Sequence, residues 1–251
     1  MLERLKVYER ATKPLVEFYR ERPTFRIVNG AQAPERVANE QVVHGIPSKR
    51  PLVEGDILSI DMGAKLDGFF GDCAVTVPIG RVSPGAAGLL RVTEEALFHG
   101  IDAVKPGARV SDIGAAVQQH VEGYGFSVVR EFVGHGIGEK MHEEPQVPNY
   151  GEPGRGPRLS EGMVLAIEPM VNAGKAAVKV LSDGWTAMTR DGSLSAHFEH
   201  TVVVTGSGCE ILTLLPSDAS RAKQLLTVGR ATAPHRAGAA GTPLSGAPSR
   251  T

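Results

Sequence analysis

Apolar residues recur along the chain at two spacings, one helical and one strand-like, and their succession predicts the elements. Leu5, Tyr8, Leu15 and Phe18 lie three to seven residues apart in a strongly charged stretch. That spacing suits an amphipathic helix within residues 2–22, which Pro14 kinks or breaks. Phe25 to Val28 is a short apolar piece ending at the turn signal Asn29-Gly30. Between residues 40 and 205, strand-like and helix-like stretches alternate. The helical ones are 86–104, closed by Pro106-Gly107, and 111–124, opened by Ser111 or Asp112 as N-cap. From residue 231 large apolar side chains almost vanish, so 231–251 is expected to be a disordered tail.

The strand rhythm repeats itself. Leu52 to Asp61 (LVEGDILSID) matches Leu159 to Glu168 (LSEGMVLAIE) without a gap, 107 residues apart, and each copy follows a His-Gly-Ile, at His44 and at His135. Each copy reads as a turn at Glu-Gly and then a strand that ends in a carboxylate. Two ordinary strands sharing a turn signal would look alike too, but a ten-residue match ending in an acid both times favours a pseudo-symmetric domain. Alternation puts Ile57, Ser59 and Asp61 on one face, and Val164, Ala166 and Glu168 on one face of the second copy. The small Ser59 and Ala166 leave room beside the acids.

Candidate chemistry gathers around these strands. Asp67-Gly68 is a hairpin signal. A two-residue loop there sets Asp61 opposite Ala74, with Asp72 as a diagonal neighbour about 7–8 Å away on the same face. Two such carboxylates can grip cations, and would repel each other without them; taken singly, either Asp also fits an exposed turn acid. Phe132 to His142 (FVGHGIGEKMH) has three glycines around His135, which let the backbone approach a ligand closely. Glu199 opens an apolar β-branched strand, and an acid buried there needs a partner such as a metal ion. Asp61, Asp72, His135, Glu168 and Glu199 together make four carboxylates and one imidazole. That hard set suits Mn, Fe, Co or Zn and is unlike a Cys-rich structural zinc site. Two cations sharing carboxylates would activate a water for hydrolysis.

Composition narrows the setting. Lys plus Arg is 27 against 28 for Asp plus Glu, a net charge of −1 that argues against nucleic-acid binding. Hydrophobic residues at 41% and charged ones at 22% are ordinary for a globular protein, and 30 glycines with 17 prolines favour a mixed fold over a helical bundle. No apolar run approaches a membrane span, and MLERLKVYER has no signal core, so a soluble cytoplasmic protein is expected. Cys73 and Cys209 form no disulfide framework or C-x-x-C site; Cys73 reads as a small core residue.

NEQVVHGIP at 39–47, the Asp61–Asp72 hairpin, GHGIG at 134–138, IEPM at 167–170 and FEHT at 198–201 together resemble the type I methionine aminopeptidases, from residue 39 to about 215. The resemblance implies an α+β, pseudo-twofold "pita-bread" fold over a domain spanning 39–230. It implies that Asp61, Asp72, His135, Glu168 and Glu199 hold two divalent metal ions (Co, Mn, Fe or Zn), with Asp72 and Glu199 bridging. His135 and Glu168 would serve one ion and Asp61 the other. His142 would hydrogen-bond the scissile carbonyl, His44 would contact substrate near the scissile nitrogen, and Glu168 would also handle the proton of the attacking water. The substrates implied are nascent polypeptide N-termini whose second residue is small, and the enzyme a monomer. Ribosome association would suit that role, although no basic arm supports it. His200 and Trp185 are assigned to packing around the site, and His197 receives no role.

Residues 2–38 instead look similar to the C-terminal end of a bacterial adenylate kinase, one helix and one strand of it. No G-x-x-x-x-G-K phosphate loop occurs, so kinase activity is excluded. The expectation is a fusion onto an N-terminally truncated aminopeptidase, with a sheet edge left open where the family's first strands are missing. Two readings compete with the aminopeptidase: a catalytically inactive relative of the same fold, and a proline-directed peptidase, which shares the five ligands. NEQVVHGIP argues against the latter, and retention of every ligand argues against the former.

Overall fold

The computed structural model describes residues 35–45, 51–215 and 218–232. The helix expected within 2–22, the apolar piece 25–28 and all but the first two residues of the 231–251 tail lie outside them. In chain order the elements are β1 (Glu35–Ala38), β2 (Gln41–Val43), β3 (Ile57–Leu66), β4 (Phe69–Pro78), α1 (Pro84–Asp102), α2 (Val110–Gly123), β5 (Ser127–Val128), β6 (Gly134–Gly136) and β7 (Glu143–Val147). There follow β8 (Val164–Ile167), β9 (Met170–Asn172), β10 (Val178–Val180), β11 (Ala187–Thr189), β12 (Ser195–His197), β13 (Glu199–Val204), β14 (Cys209–Ile211) and α3 (Ala219–Thr232).

The main sheet runs β1-β3-β4-β13-β8-β6-β7, with β14 also on β13, and every pairing in it is antiparallel. Two three-stranded sheets, β10-β11-β2 and β12-β9-β5, complete it. The open edge expected beside β3 is partly covered, because β1 pairs with it from Glu35 opposite Asp61 to Ala38 opposite Leu58. Asn39, left-handed at φ 56°, turns the chain after β1. Its side chain accepts the Ile57 N–H at 3.0 Å and donates to Asp56 at 2.8 Å, the kind of local bonding that lets Asn occupy this region.

The repeat is structural. Gly55 and Gly162 sit at φ 101° and 88° in the two Glu-Gly turns, where a side chain would be strained. Gly55 donates to Ile79 and Gly162 to Val204, each at 2.9 Å. β3 then pairs with β4, and β8 pairs with β13, while β4 and β13 pair with each other at the centre. The operation that carries Asp61 onto Glu168 therefore carries Ala74 onto Glu199, Thr76 onto Thr201 and Asp72 onto His197.

Helices pack on one side of this frame. Leu89, Leu97 and Ile101 of α1 and Ile113, Val117 and Val121 of α2 are buried with Leu165, Ile167, Val202 and Val204 of the sheet. α1 starts two residues before the expected 86, because Ser83 caps it by accepting the Ala86 N–H at 3.1 Å and Pro84 fits the first turn. The N-cap expected at Ser111 or Asp112 is corrected to Arg109. Asp112 lies one turn in, accepting the Arg109 N–H at 2.7 Å, and Ser111 bonds the backbone of Arg155 instead.

Candidate metal centre

Strand register sets the acids in a row. β3 and β4 join through Asp67 and Gly68, both at positive φ, so the loop has two residues and Asp61 stands opposite Ala74, as the hairpin signal predicts. On the other side of Ala74 stands Glu199. Beside Glu199, one residue beyond the Ile167–His200 pair, comes Glu168. The row Asp61, Ala74, Glu199, Glu168 thus crosses four strands, with a methyl group in the middle where a longer side chain would fill the space. Asp72 lies two residues from Ala74 and is buried. Ser59, expected to make room, is bonded to Thr76 at 2.7 Å; Ala74 provides the space instead.

His135 enters from β6, opposite Ala166. The glycines around it serve a different close approach from the one expected. A Cβ at Gly134 would run into the Ala166 carbonyl, and one at Gly136 into the Glu144 carbonyl, so neighbouring backbone rather than a ligand requires glycine there. His135 Nδ1 lies 2.9 Å from the Gly136 carbonyl, to which it can only donate. Nε2 is then the unprotonated nitrogen, turned toward Glu168 Oε1 at 3.5 Å. Ligand atoms of Asp72, His135 and Glu199, all three buried, lie within 4.8 Å of one another.

Electrostatics make this an unfavourable group without a cation. Burial, then Asp72 and Asp61, raise the Glu168 carboxyl well above its usual range; burial, then Asp72, Glu168 and Asp61, do the same to Glu199. Glu199 Oε1 is buried without a hydrogen-bond partner among the described residues. Burial lowers His135, which keeps its imidazole neutral and able to ligate. Carboxylates and a neutral imidazole around a buried acceptor are the donor set that divalent cations take, so the residues fit a metal. The Cys73 thiol is pushed up to about 12 by burial and by Asp72 and Asp61, so it stays protonated.

The remaining candidates flank the centre. His142 is exposed, its ring edge-on to His135 with centroids 4.4 Å apart. β2 pairs with β11, which brings His44 at the end of one strand to Trp185 ahead of the other. Their rings stack with centroids 4.8 Å apart, and Phe132 meets His44 edge-on at 5.7 Å. Trp185 is 53% exposed, a surface ring packed on His44 beside the centre. His200 bonds Thr213 at 2.9 Å, stands edge-on to Phe98, and is held down to about 4 by burial.

Sequence reasoning missed His197. It is 2% exposed, its Nε2 lies 3.7 Å from Glu168 Oε2, and burial holds it down to about 3, so the ring is neutral. The signal was available in the alternation, since His197 precedes Glu199 by two residues.

The profile of metallopeptidase family M24 matches residues 37–206. Methionine aminopeptidase 1 of Bacillus subtilis is 55% identical over 192 residues, 76% of this chain and 77% of its own length. The solved methionine aminopeptidase of Thermotoga maritima superposes with a TM-score of 0.73 at 48% identity, covering 80% of this chain and 82% of that one. A prolidase from Pyrococcus furiosus, at 24% identity and a TM-score of 0.58 over 74% of this chain and 51% of its own, shares the fold alone.

Proposed function

We propose, from the premise that this chain belongs to metallopeptidase family M24 and is a methionyl aminopeptidase of the bacterial type I class with the pita-bread fold, that Asp61, Asp72, His135, Glu168 and Glu199 hold two divalent ions, Co, Mn, Fe or Zn. The enzyme hydrolyses methionine from protein N-termini. The observation that carries the assignment is the buried group of Asp72, His135 and Glu199, with Asp61 and Glu168 at the two ends of the same row. Asp72 and Glu199 would serve both ions, with His135 and Glu168 serving one of them and Asp61 the other. When bound, the ions supply the Lewis acidity that activates water at neutral pH.

The chain's own residues do the rest. Glu168, ionised when it serves as a ligand, would take the proton of the attacking water and return it to the leaving amine. His142, exposed beside His135, donates to the oxygen of the scissile carbonyl as charge develops there. His44, held between Trp185 and Phe132, contacts the substrate near the scissile nitrogen. Nascent chains with a small second residue are the substrates in this reading, and a cytoplasmic monomer is the acting form. No helix among the described residues is long and apolar enough to cross a membrane.

The test is release of free methionine from a Met-Ala-Ser peptide with Mn(II), Co(II) or anaerobic Fe(II), beside a Glu199→Ala control. Metal-dependent release that the control lacks is expected; release unaffected by Glu199→Ala would sink the ligand assignment. For residues 1–38 we hold to a separate, kinase-like origin. Genomic and transcript sequence across the junction tests it, and two intact neighbouring reading frames would show the fusion to be an artefact.

A further inference from the structure

His197 is fully enclosed, yet its Nε2 has no hydrogen-bond partner among the described residues. Burying a ring nitrogen unsatisfied is costly, so the position calls for an explanation. Two imidazoles flank the Glu168 carboxylate, His135 Nε2 at 3.5 Å from Oε1 and His197 Nε2 at 3.7 Å from Oε2. His135 presents a lone pair, because its Nδ1 donates to the Gly136 carbonyl. Only His197 can therefore present an N–H to Glu168.

The pseudo-twofold shows how firmly that ring is placed. His197 occupies the position related to Asp72, and the two share one anchoring device. Thr201 Oγ1 accepts the Asp72 N–H at 3.0 Å and donates to the Asp72 carbonyl at 2.8 Å. Thr76 Oγ1 accepts the His197 N–H at 2.8 Å and donates to the His197 carbonyl at 2.7 Å. Asp72 thereby stands beside Asp61, and His197 stands beside Glu168. A second carboxylate at 197 would add to an already acidic centre, whereas an imidazole adds a donor. The other end of Glu168 is tied as well, since Asn149 Nδ2 donates to its backbone carbonyl at 3.0 Å.

We infer that His197 is a positioning residue whose Nε2–H holds Glu168 Oε2, leaving Oε1 turned toward the metal beside His135. This rests on the reading of Glu168 as a metal ligand. The arrangement is the one by which ligating carboxylates are generally oriented, through a hydrogen bond on the oxygen that faces away from the ion. It also accounts for the unsatisfied nitrogen, because a gap of 3.7 Å closes to a hydrogen bond with a small turn of the carboxylate.

Calorimetric titration of Mn(II) into metal-free protein tests it, with Glu168→Ala, His197→Leu and His197→Gln beside the parent. Glu168→Ala and His197→Leu should each bind about 10–100-fold more weakly. His197→Gln, which retains an N–H donor, should stay close to the parent. Melting of the metal-free protein checks that His197→Leu folds, and His197→Met takes its place if leucine prevents folding. Parental affinity in His197→Leu, with Glu168→Ala weakened, overturns the positioning role, as does a glutamine variant as weak as the leucine one. Parental affinity in Glu168→Ala instead overturns the ligand reading beneath it.

Discussion

The two halves of the central sheet have the same backbone and different chemistry. In the first, the β3–β4 hairpin carries Asp61 and Asp72, with Ala74 between its partner strands. In the second, β8 and β13 carry Glu168 and Glu199, with His197 at the place of Asp72 and Glu199 at the place of Ala74. What is equal is the framework: a glycine turn opening each half, and a threonine hydroxyl tying the opposite strand across the centre. What differs is reach. Short aspartates on one side face longer glutamates on the other, and both glutamates are raised by burial and by the aspartates beside them. A symmetric frame filled with unequal side chains thus sets short and long carboxylates around one centre, with an imidazole in the second half at the place of Asp72.

Making the halves alike is the most damaging test. Glu199→Ala gives the second half the alanine of the first, and should reduce metal-dependent methionine release by at least about 10³-fold, a rise of some 4 kcal/mol in the barrier. Residual activity within tenfold of the parent would break the comparison. His142→Ala, outside both halves, should lower kcat by about 10²–10³-fold while metal stoichiometry by elemental analysis stays unchanged, since in its proposed role it is a donor to the developing oxyanion and no ligand. Thr76→Val and Thr201→Val probe the shared framework. Each strips two hydrogen bonds to buried backbone, Thr76→Val also the one to Ser59, and each should cost about 1–3 kcal/mol in urea unfolding. Similar costs sharpen the symmetry, and a neutral result for either one refutes it.

The last effect is in pH dependence. Glu168 and Glu199 hold protons in the folded, metal-free protein that the unfolded chain releases near 4.5. Stability therefore falls as pH rises from there through the raised folded values, by about 1.4 kcal/mol per pH unit for each proton. Buried histidines with lowered values act in the opposite direction below 6.5, but they are common to parent and variant. Thermal melts of metal-free parent and Glu199→Gln between pH 5 and 8 should show the parent losing more with rising pH. Parallel curves would mean that Glu199 ionises freely.

Much of this was legible along the chain because it is local. A ten-residue repeat, a two-residue Asp-Gly loop and strict strand alternation specify turn, register and face within a hairpin, so the pairing of Asp61 with Ala74 and the closeness of Asp72 follow from letters alone. Helix bodies were legible for the same reason, and helix starts less so: Asp112 caps the backbone of Arg109 from within the first turn, which composition cannot tell from an N-cap. The long-range pairings were not legible. That β13 lies between β4 and β8, placing Glu199 next to Glu168 and across Ala74 from Asp61, depends on which strand edges meet after the chain has closed. The same holds for the glycines beside His135, required by the carbonyls of Ala166 and Glu144, and for His197, whose meaning lies in a carboxylate 29 residues away. Hydrogen bonding and side-chain alternation act between near neighbours and leave their mark on sequence order. Burial and the meeting of distant charges exist only once those neighbours are packed.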